Sequence, residues 1–319
     1  MAYSMGVPVG TWADPTTNKD TFKTLVRMWF DSTEREAIVE HKDLFKLIET
    51  KDEYEREGRL AGLGAMSKIA DGQNVPLETG KLYGVKDYEQ ERYGLGFRIT
   101  DKMKRFNKID LMERFSKDLK KRLLEDKDIE VMKAYNNPTS TTVGTGLVGF
   151  DTLALASTAH TLMSDTTTTT YSNYGSADLG TASYEAALVY FNAIYDDRGF
   201  VFKKQPAKLL VNKQFRVRAF QLTEADKKPF QFSNTKYELN KYFGYTVEPF
   251  VSIRLTSSTT WFVICDPKDN DFGLRVYTSL EPSLETKDGD DRSMDTVVMG
   301  HQYFKAGLTD ARLIYVGNV

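Results

Sequence analysis

Several things are scarce in this sequence of 319 residues, and each scarcity excludes a class of protein. A single cysteine, Cys265, cannot close a disulfide within the chain, which fits a reducing compartment. It sits in Trp261–Cys265, an apolar run with no acid–base partner nearby, so an inert core thiol is expected rather than a nucleophile. The three histidines, His41, His160 and His301, share none of the paired spacings that metal sites use. No apolar run approaches membrane-spanning length, and the N-terminus carries no basic-then-apolar signal. Neither sign of charge dominates: 43 Lys and Arg against 45 Asp and Glu leave a net charge of −2, without the basic excess of a nucleic-acid groove.

What is present is one long helix. Asn107 to Tyr135 reads as an uninterrupted helix of about 28 residues, or roughly 42 Å. Ile109, Met112, Phe115, Leu119 and Leu123 recur at spacings of three and four and make one apolar stripe. Asn107 is a good N-cap with Asp110 three residues on, and Asn136-Asn137-Pro138 is a strong stop. A helix more than twice the usual length reads as a beam rather than the wall of an active site.

The flanks read as extended chain. An N-terminal arm ends in a short helix around Phe22–Phe30, and Asp31–His41 is a second short helix candidate. The pattern turns strand-like from Leu44 through Ile48, is dominated by charge from Lys51 to Arg59, and passes a glycine-rich tip between Gly62 and Gly84. Tyr93, Leu95, Phe97 and Ile99 then alternate as a half-buried strand, so residues 44–100 look like a long two-stranded arm. Such a ribbon is marginal alone in water and must lie on its own domain or on a neighbouring copy. Residues 46–104 hold eleven basic and eleven acidic side chains, a balance that suits a surface pairing with another copy of itself. The candidates for contacts between copies are Arg59, Lys68, Lys81, Glu89, Glu91, Arg92 and Arg98.

Beyond the helix, Thr139–Gly146 and Thr166–Thr170 are polar loops. Ser183–Asp196 reads as a helix, Ala207–Val211 as a strand, and Asn212 as the cap of a helix running to Thr223. Tyr245–Val247 and Trp261–Cys265 read as strands. Leu274–Leu280 and Val297–Tyr303 alternate on either side of Asp288–Asp291, as a long hairpin that packs on the helix. The class is α+β, and the aromatic count of 17 Tyr and 19 Phe fits cores and subunit interfaces.

Catalytic constellations are thin. Ser157 and His160 are close in sequence, but not in a triad arrangement. Asp196-Asp197-Arg198-Gly199 reads as a helix end and turn rather than a carboxylate pair. Gly72 to Gly80-Lys81-Leu82 fails the phosphate-loop pattern, because no Ser or Thr follows the lysine. Gly94-x-Gly96 inside a strand carries little information. No catalytic, cofactor-binding or metal-binding residue is expected.

The order of elements is more informative than any motif. Arm, hairpin, long helix, mixed middle region and returning hairpin together resemble the major capsid protein of tailed phages, the Hong Kong 97-type fold. Tyr93–Thr100 resembles the family's return strand entering the spine helix. Phe150–Leu153 and Ser157–His160 resemble a segment of the Mu-like head-subunit branch. Ala207–Asn212 resembles the first axial strand and its helix, and Arg275–Glu285 with Thr296–Lys305 the long peripheral hairpin. Tyr242–Val247 resembles the family's large-x-Gly-x-Pro-Val strand, with Thr246 where proline is usual, and Ala311–Tyr315 the last axial strand.

The resemblance implies a division into an N-terminal arm (1–43), an extension loop (44–104), a peripheral domain (105–203 and 273–308, with spine helix 107–135) and an axial domain (204–272 and 309–319). It implies a non-enzymatic protein that self-assembles, as pentamers and hexamers, into the icosahedral head of a tailed double-stranded DNA phage or prophage. Packaged DNA would be held non-specifically, with the near-neutral charge suiting a container that must not grip it. The chain would assemble in the host cytoplasm and end in the virion, with separate scaffolding and portal proteins and a possible decoration protein. The family's long charged N-terminal coil is not found, so scaffolding would be expected to be separate or already removed. Some relatives crosslink subunits through a loop lysine, and neither Lys68 nor Lys81 has the matching context. The alternative within the fold is an encapsulin-type compartment. The rival from another class is a soluble α+β enzyme using Asp196, Arg198 and His160.

Overall fold

In a computed structural model, residues 19–32, 37–78, 80–106, 108–142, 147–162, 170–201, 204–224, 247–268, 273–288 and 295–318 are described. In chain order the elements begin with α1 (Lys19–Asp31), α2 (His41–Leu44), β1 (Lys46–Glu49), β2 (Tyr54–Ala61), β3 (Lys81–Glu89), β4 (Glu91–Ile99), α3 (Asp101–Arg105) and α4 (Ile109–Asn136). The middle holds β5 (His160–Thr161), β6 (Thr170–Tyr171), β7 (Tyr174–Gly175), α5 (Thr181–Asn192), β8 (Pro206–Asn212) and α6 (Arg216–Thr223). The chain ends with β9 (Glu248–Ser252), β10 (Trp261–Cys265), β11 (Leu274–Asp288), β12 (Thr296–Leu308) and β13 (Ile314–Gly317). The expected cap Asn107, residues 143–146 and 166–169 of the polar loops, 242–246 and 289–291 lie outside the described residues.

The chain divides into two compact units: residues 1–39, 90–128 and 278–304, and residues 40–89, 129–277 and 305–319. Three long elements, α4, β11 and β12, run from one into the other.

In the first unit, β4 runs antiparallel to β12, from Thr296 opposite Ile99 to Phe304 opposite Glu91. Two glycines make that approach close. A Cβ on Gly96 would stand 2.9 Å from the carbonyl oxygen of Val298, and one on Gly94 3.2 Å from that of Gly300. Gly300 in turn lets α4 come down on β12, since a Cβ there would meet Leu123 at 2.5 Å. Phe22, Val26 and Phe30 of α1 bury against Met112, Leu119 and Leu123 of α4 and against Ile99 and Val298 of the strands. The expected stripe of α4 is corrected at one position. Phe115 is half-exposed beside Phe97, and the buried position is Ser116, whose hydroxyl donates to the Met112 carbonyl at 2.8 Å.

The second unit is built on a five-stranded sheet in the order β7-β13-β10-β8-β9. β10 is its centre, antiparallel to both neighbours and buried at every residue, as an all-apolar strand must be. Tyr184, Ala187, Leu188 and Phe191 of α5, with Ala219 and Leu222 of α6, bury against Leu209, Val211 and Val263. Residues 181–192 therefore pack with the sheet of 206–265, whereas the expected division placed 105–203 on the side of the beam. The last turns of α4 belong here too, with Tyr135 edge-on to both Phe45 and Phe262.

Two expectations about the arm are corrected. Of the helix proposed over Asp31–His41, residues 33–36 lie outside the described residues; Asp31 ends α1, residues 37–40 are irregular, and a single turn follows at His41–Leu44. The two-stranded ribbon pairs β2 with β3, from Tyr54 opposite Glu89 to Ala61 opposite Lys81. The return strand Tyr93–Ile99 belongs to the β12 sheet instead.

Candidate assembly interface

The ribbon β2–β3 inverts the usual arrangement of a surface strand. Its inward positions are Glu55, Glu57 and Arg59 on β2, and Lys86 and Tyr88 on β3. Its outward positions include Leu60, Leu82 and Val85, which are 68%, 61% and 51% exposed. A strand with one face on a core normally sends apolar side chains inward. Here Glu55, Glu57, Arg59 and Lys86 go in and Leu60, Leu82 and Val85 go out, beside an exposed ion pair of Arg56 with Asp87 at 2.7 Å.

The inward charges have polar partners, and Glu55 accepts from the Thr50 hydroxyl at 2.9 Å. Arg59 is buried and ion-paired through two nitrogens to Asp197 and Asp310. Arg312 binds the same two carboxylates, at 2.8 Å and 2.9 Å. Glu57 pairs with Arg275, and the Lys86 ammonium donates to the Val148 carbonyl. Tyr88 stacks on Tyr277 with centroids 4.9 Å apart, and its hydroxyl donates to the Leu308 carbonyl at 2.8 Å. Gly307 leaves room for that ring, since a Cβ there would lie 2.5 Å from Tyr88. Burial pushes the Asp310 carboxyl above the usual carboxylate range, against the charge of Arg59 and the Tyr171 hydrogen bond. Burial also lowers the Lys86 ammonium, with the Asp151 charge opposing.

The tip beyond the ribbon is different. Between Ala61 and Lys81, Leu63, Val75 and Leu77 are 69%, 67% and 93% exposed and Met66 is wholly exposed. Gly62 accepts from the Arg198 guanidinium at 3.0 Å, and Gly64 N–H donates to Glu78 across the tip at 2.6 Å. Exposed apolar groups at this density on one segment mark a surface that meets a partner.

The expected contact residues separate into different roles. Arg59 is corrected: it is spent inside its own subunit, because two buried carboxylates face it. Lys68 is exposed on the tip and Glu89 at the end of β3. Lys81 opens β3, and its side chain lies outside the described residues. Glu91, Arg92 and Arg98 are exposed along β4. There Glu91 accepts from the Tyr93 hydroxyl at 2.7 Å, Arg92 lies over the Tyr303 ring at 5.8 Å, and Arg98 stands 3.7 Å from Asp295. Sequence reasoning missed Asp197, Asp310 and Arg312, and missed the exposed hydrocarbon of the tip.

The residues of the enzymatic reading have structural partners. His160 is buried, with Nδ1 2.5 Å from Asp151 and its ring stacked on Tyr171. Ser157 is turned to its own loop, accepting from the Ala159 amide at 3.2 Å. Asp196 caps a turn by accepting from the amides of Arg198 and Phe200, at 2.9 Å and 2.8 Å. Burial pushes the Cys265 thiol up to about 12, far from a thiolate at neutral pH. Among the described residues there is no cluster suited to a metal ion, and no helix is long and apolar enough to cross a membrane.

The chain belongs to the phage capsid protein family, whose profile matches residues 84–317. No curated protein sequence matches it. Solved structures match over nearly the whole chain. The virus-like particle of Pyrococcus furiosus is 9% identical, with 92% of this chain and 98% of that one covered and a TM-score of 0.53. The capsid of cyanophage P-SCSP1u is 12% identical, with 88% of each chain covered and a TM-score of 0.54. The procapsid of bacteriophage JBD30 is 9% identical, with 93% and 74% covered and a TM-score of 0.52. At such identities the likeness is one of fold: α+β, of the Hong Kong 97 type. As a major capsid protein of this family the chain is a structural component of the head shell, not an enzyme.

Proposed function

We propose that copies of this chain close as pentamers and hexamers into an icosahedral head around double-stranded DNA, each laying its tip over a neighbour. The observation that carries this reading is the exposed hydrocarbon of the arm: Leu60, Leu82 and Val85 of the ribbon, with Leu63, Met66, Val75 and Leu77 of the tip, face away from the subunit that bears them. Burying them on a second copy would gain about 25 cal/mol for each Å² removed from water, repeated at every subunit of the shell. Lys68, Lys81, Glu89, Glu91, Arg92 and Arg98 would form the polar surround of these contacts. Residues 204–272 and 309–319 would serve as the axial domain, and the spine helix with the β11–β12 hairpin as the beam of the peripheral one. Assembly would take place in the host cytoplasm, with separate scaffolding and portal proteins and a possible decoration protein, and the packaged DNA would be held non-specifically.

The test is to replace residues 62–80 by a two-residue turn, which Ala61 and Lys81 can accept because they already face each other across the ribbon. Negative-stain microscopy and size exclusion should then show subunits or small oligomers with normal secondary structure, where the intact chain gives particles of tens of nanometres. Closed particles from the shortened chain would sink the proposal. A shell of the compartment type is distinguished by its contents, since it would hold no nuclease-protected DNA.

A further inference from the structure

Two oxygens in the second unit each serve two guanidinium groups. Asp197 Oδ1 accepts from Arg312 Nη2 at 2.8 Å, and Asp310 Oδ2 from Arg312 Nε at 2.9 Å. Arg59 Nη2 and Nη1 reach the same two oxygens from the ribbon. All four side chains are more than nine-tenths buried. Arg312 belongs to the body that holds the carboxylates: it lies two residues from Asp310, and its Nη1 donates to the Tyr195 carbonyl at 2.8 Å. The other Asp310 oxygen is held by the Arg312 amide at 2.9 Å and the Tyr171 hydroxyl at 3.1 Å. Without Arg59 the two carboxylates would lose one of the two guanidinium groups they share in a buried place.

We propose that Asp197, Asp310 and Arg312 form a preformed anionic socket for a guanidinium group, that Arg59 is its plug, and that the plug sets the direction of the arm in the free subunit before any neighbour is met. The ligand class follows from the geometry. Two oxygens on two different carboxylates match the planar fork of a guanidinium, which an ammonium point charge cannot span. The consequence for assembly rests on reading the arm as the element that joins copies, whereas the socket itself does not.

The test uses the full chain as unassembled subunits, with hydrogen exchange read segment by segment. In Arg59→Ala, the amides of Tyr54–Ala61 and Lys81–Glu89 should exchange about tenfold faster or more, with those of Trp261–Cys265 unchanged. Guanidinium chloride at millimolar concentration should slow the ribbon again, and ammonium chloride at the same ionic strength should not. Arg59→Lys, which keeps the charge but not the fork, should remain loose. An unchanged ribbon in Arg59→Ala would overturn the socket. So would equal rescue by ammonium, or loss of protection in Trp261–Cys265 together with the ribbon. A loosened, guanidinium-rescued ribbon combined with normal shell yield would leave the socket standing and overturn the assembly role of the arm.

Discussion

The root and the tip of the arm obey opposite rules. At the root, charged groups are sealed from water: Arg59, Arg312, Asp197 and Asp310 are each under a tenth exposed. At the tip, Met66 and Leu77 stand almost wholly in solvent. Most proteins arrange these residue types the other way round. Buried ion pairs add little net stability, because desolvation consumes most of the attraction, but they are selective about geometry. Exposed hydrocarbon is indifferent to geometry and gains free energy only when a partner covers it. On the proposed reading, direction is supplied where the arm leaves its subunit, and adhesion where it ends.

The comparison breaks most visibly if the root is not stressed by losing a charge. Arg312→Ala removes one of the two guanidinium groups that Asp197 and Asp310 share, and also the donor to the Tyr195 carbonyl. Truncating one partner of such a buried set costs about 3–5 kcal/mol. Urea unfolding followed by Trp fluorescence should show the midpoint fall accordingly. A change below about 1 kcal/mol would mean that water reaches the cluster and that root and tip are not opposites.

A smaller effect is expected at Asp151, which lies within electrostatic reach of Lys86 and Asp310 and holds the buried His160. Burial works to raise the Asp151 carboxyl, but the hydrogen bond and charge of His160, with the Leu153 amide, outweigh it and hold the group below its ordinary value. A depressed carboxyl contributes stability above the unfolded-state value, and that contribution fades as pH falls through the folded one. Asp151→Asn should therefore cost about 1.5–3 kcal/mol at neutral pH, the range for a hydrogen bond to a charged group. The gap from the unmodified chain should close in strong acid. A pH-independent gap would show that the pair acts by packing alone.

The part of this fold that could be read from the chain is the part held together locally. Periodicity found α4 to within two residues at its start and one at its end, and the apolar runs found β8, β10 and the β11–β12 hairpin. The arm was located but its pairing was misread, because Tyr54–Ala61 alternates with charge on its buried side. A charged run reads as solvated chain unless its partners are known, and those partners, Asp197, Arg275 and Asp310, lie more than a hundred residues away. Asp196 was legible as a turn residue, since its amide partners are local. Its neighbour Asp197 carried no local signal of the socket it helps to form. Gly94 and Gly96 said little in sequence because the backbone they admit, that of Val298 and Gly300, comes from the far end of the chain. The resemblance supplied what periodicity could not, namely the expectation that the arm lies over a neighbouring copy; the exposed hydrocarbon of the tip was not read from it.

The finest test asks for no effect at all. Met66 touches nothing that its removal would leave empty, so Met66→Ser should shift the stability of the free subunit by less than about 0.5 kcal/mol, as for an ordinary surface change. The same should hold when Leu63, Val75 and Leu77 are also changed to Ser, because all three are largely exposed. Shell yield should behave differently, falling with each substitution as apolar contact between copies is lost. The two measurements are made on one preparation, urea midpoint before assembly and particle count after it. A stable subunit that assembles poorly is the signature of hydrocarbon reserved for a neighbour. A destabilised subunit would instead mean that the tip packs on its own body, and the division of labour between root and tip would fail at the end that seemed simpler.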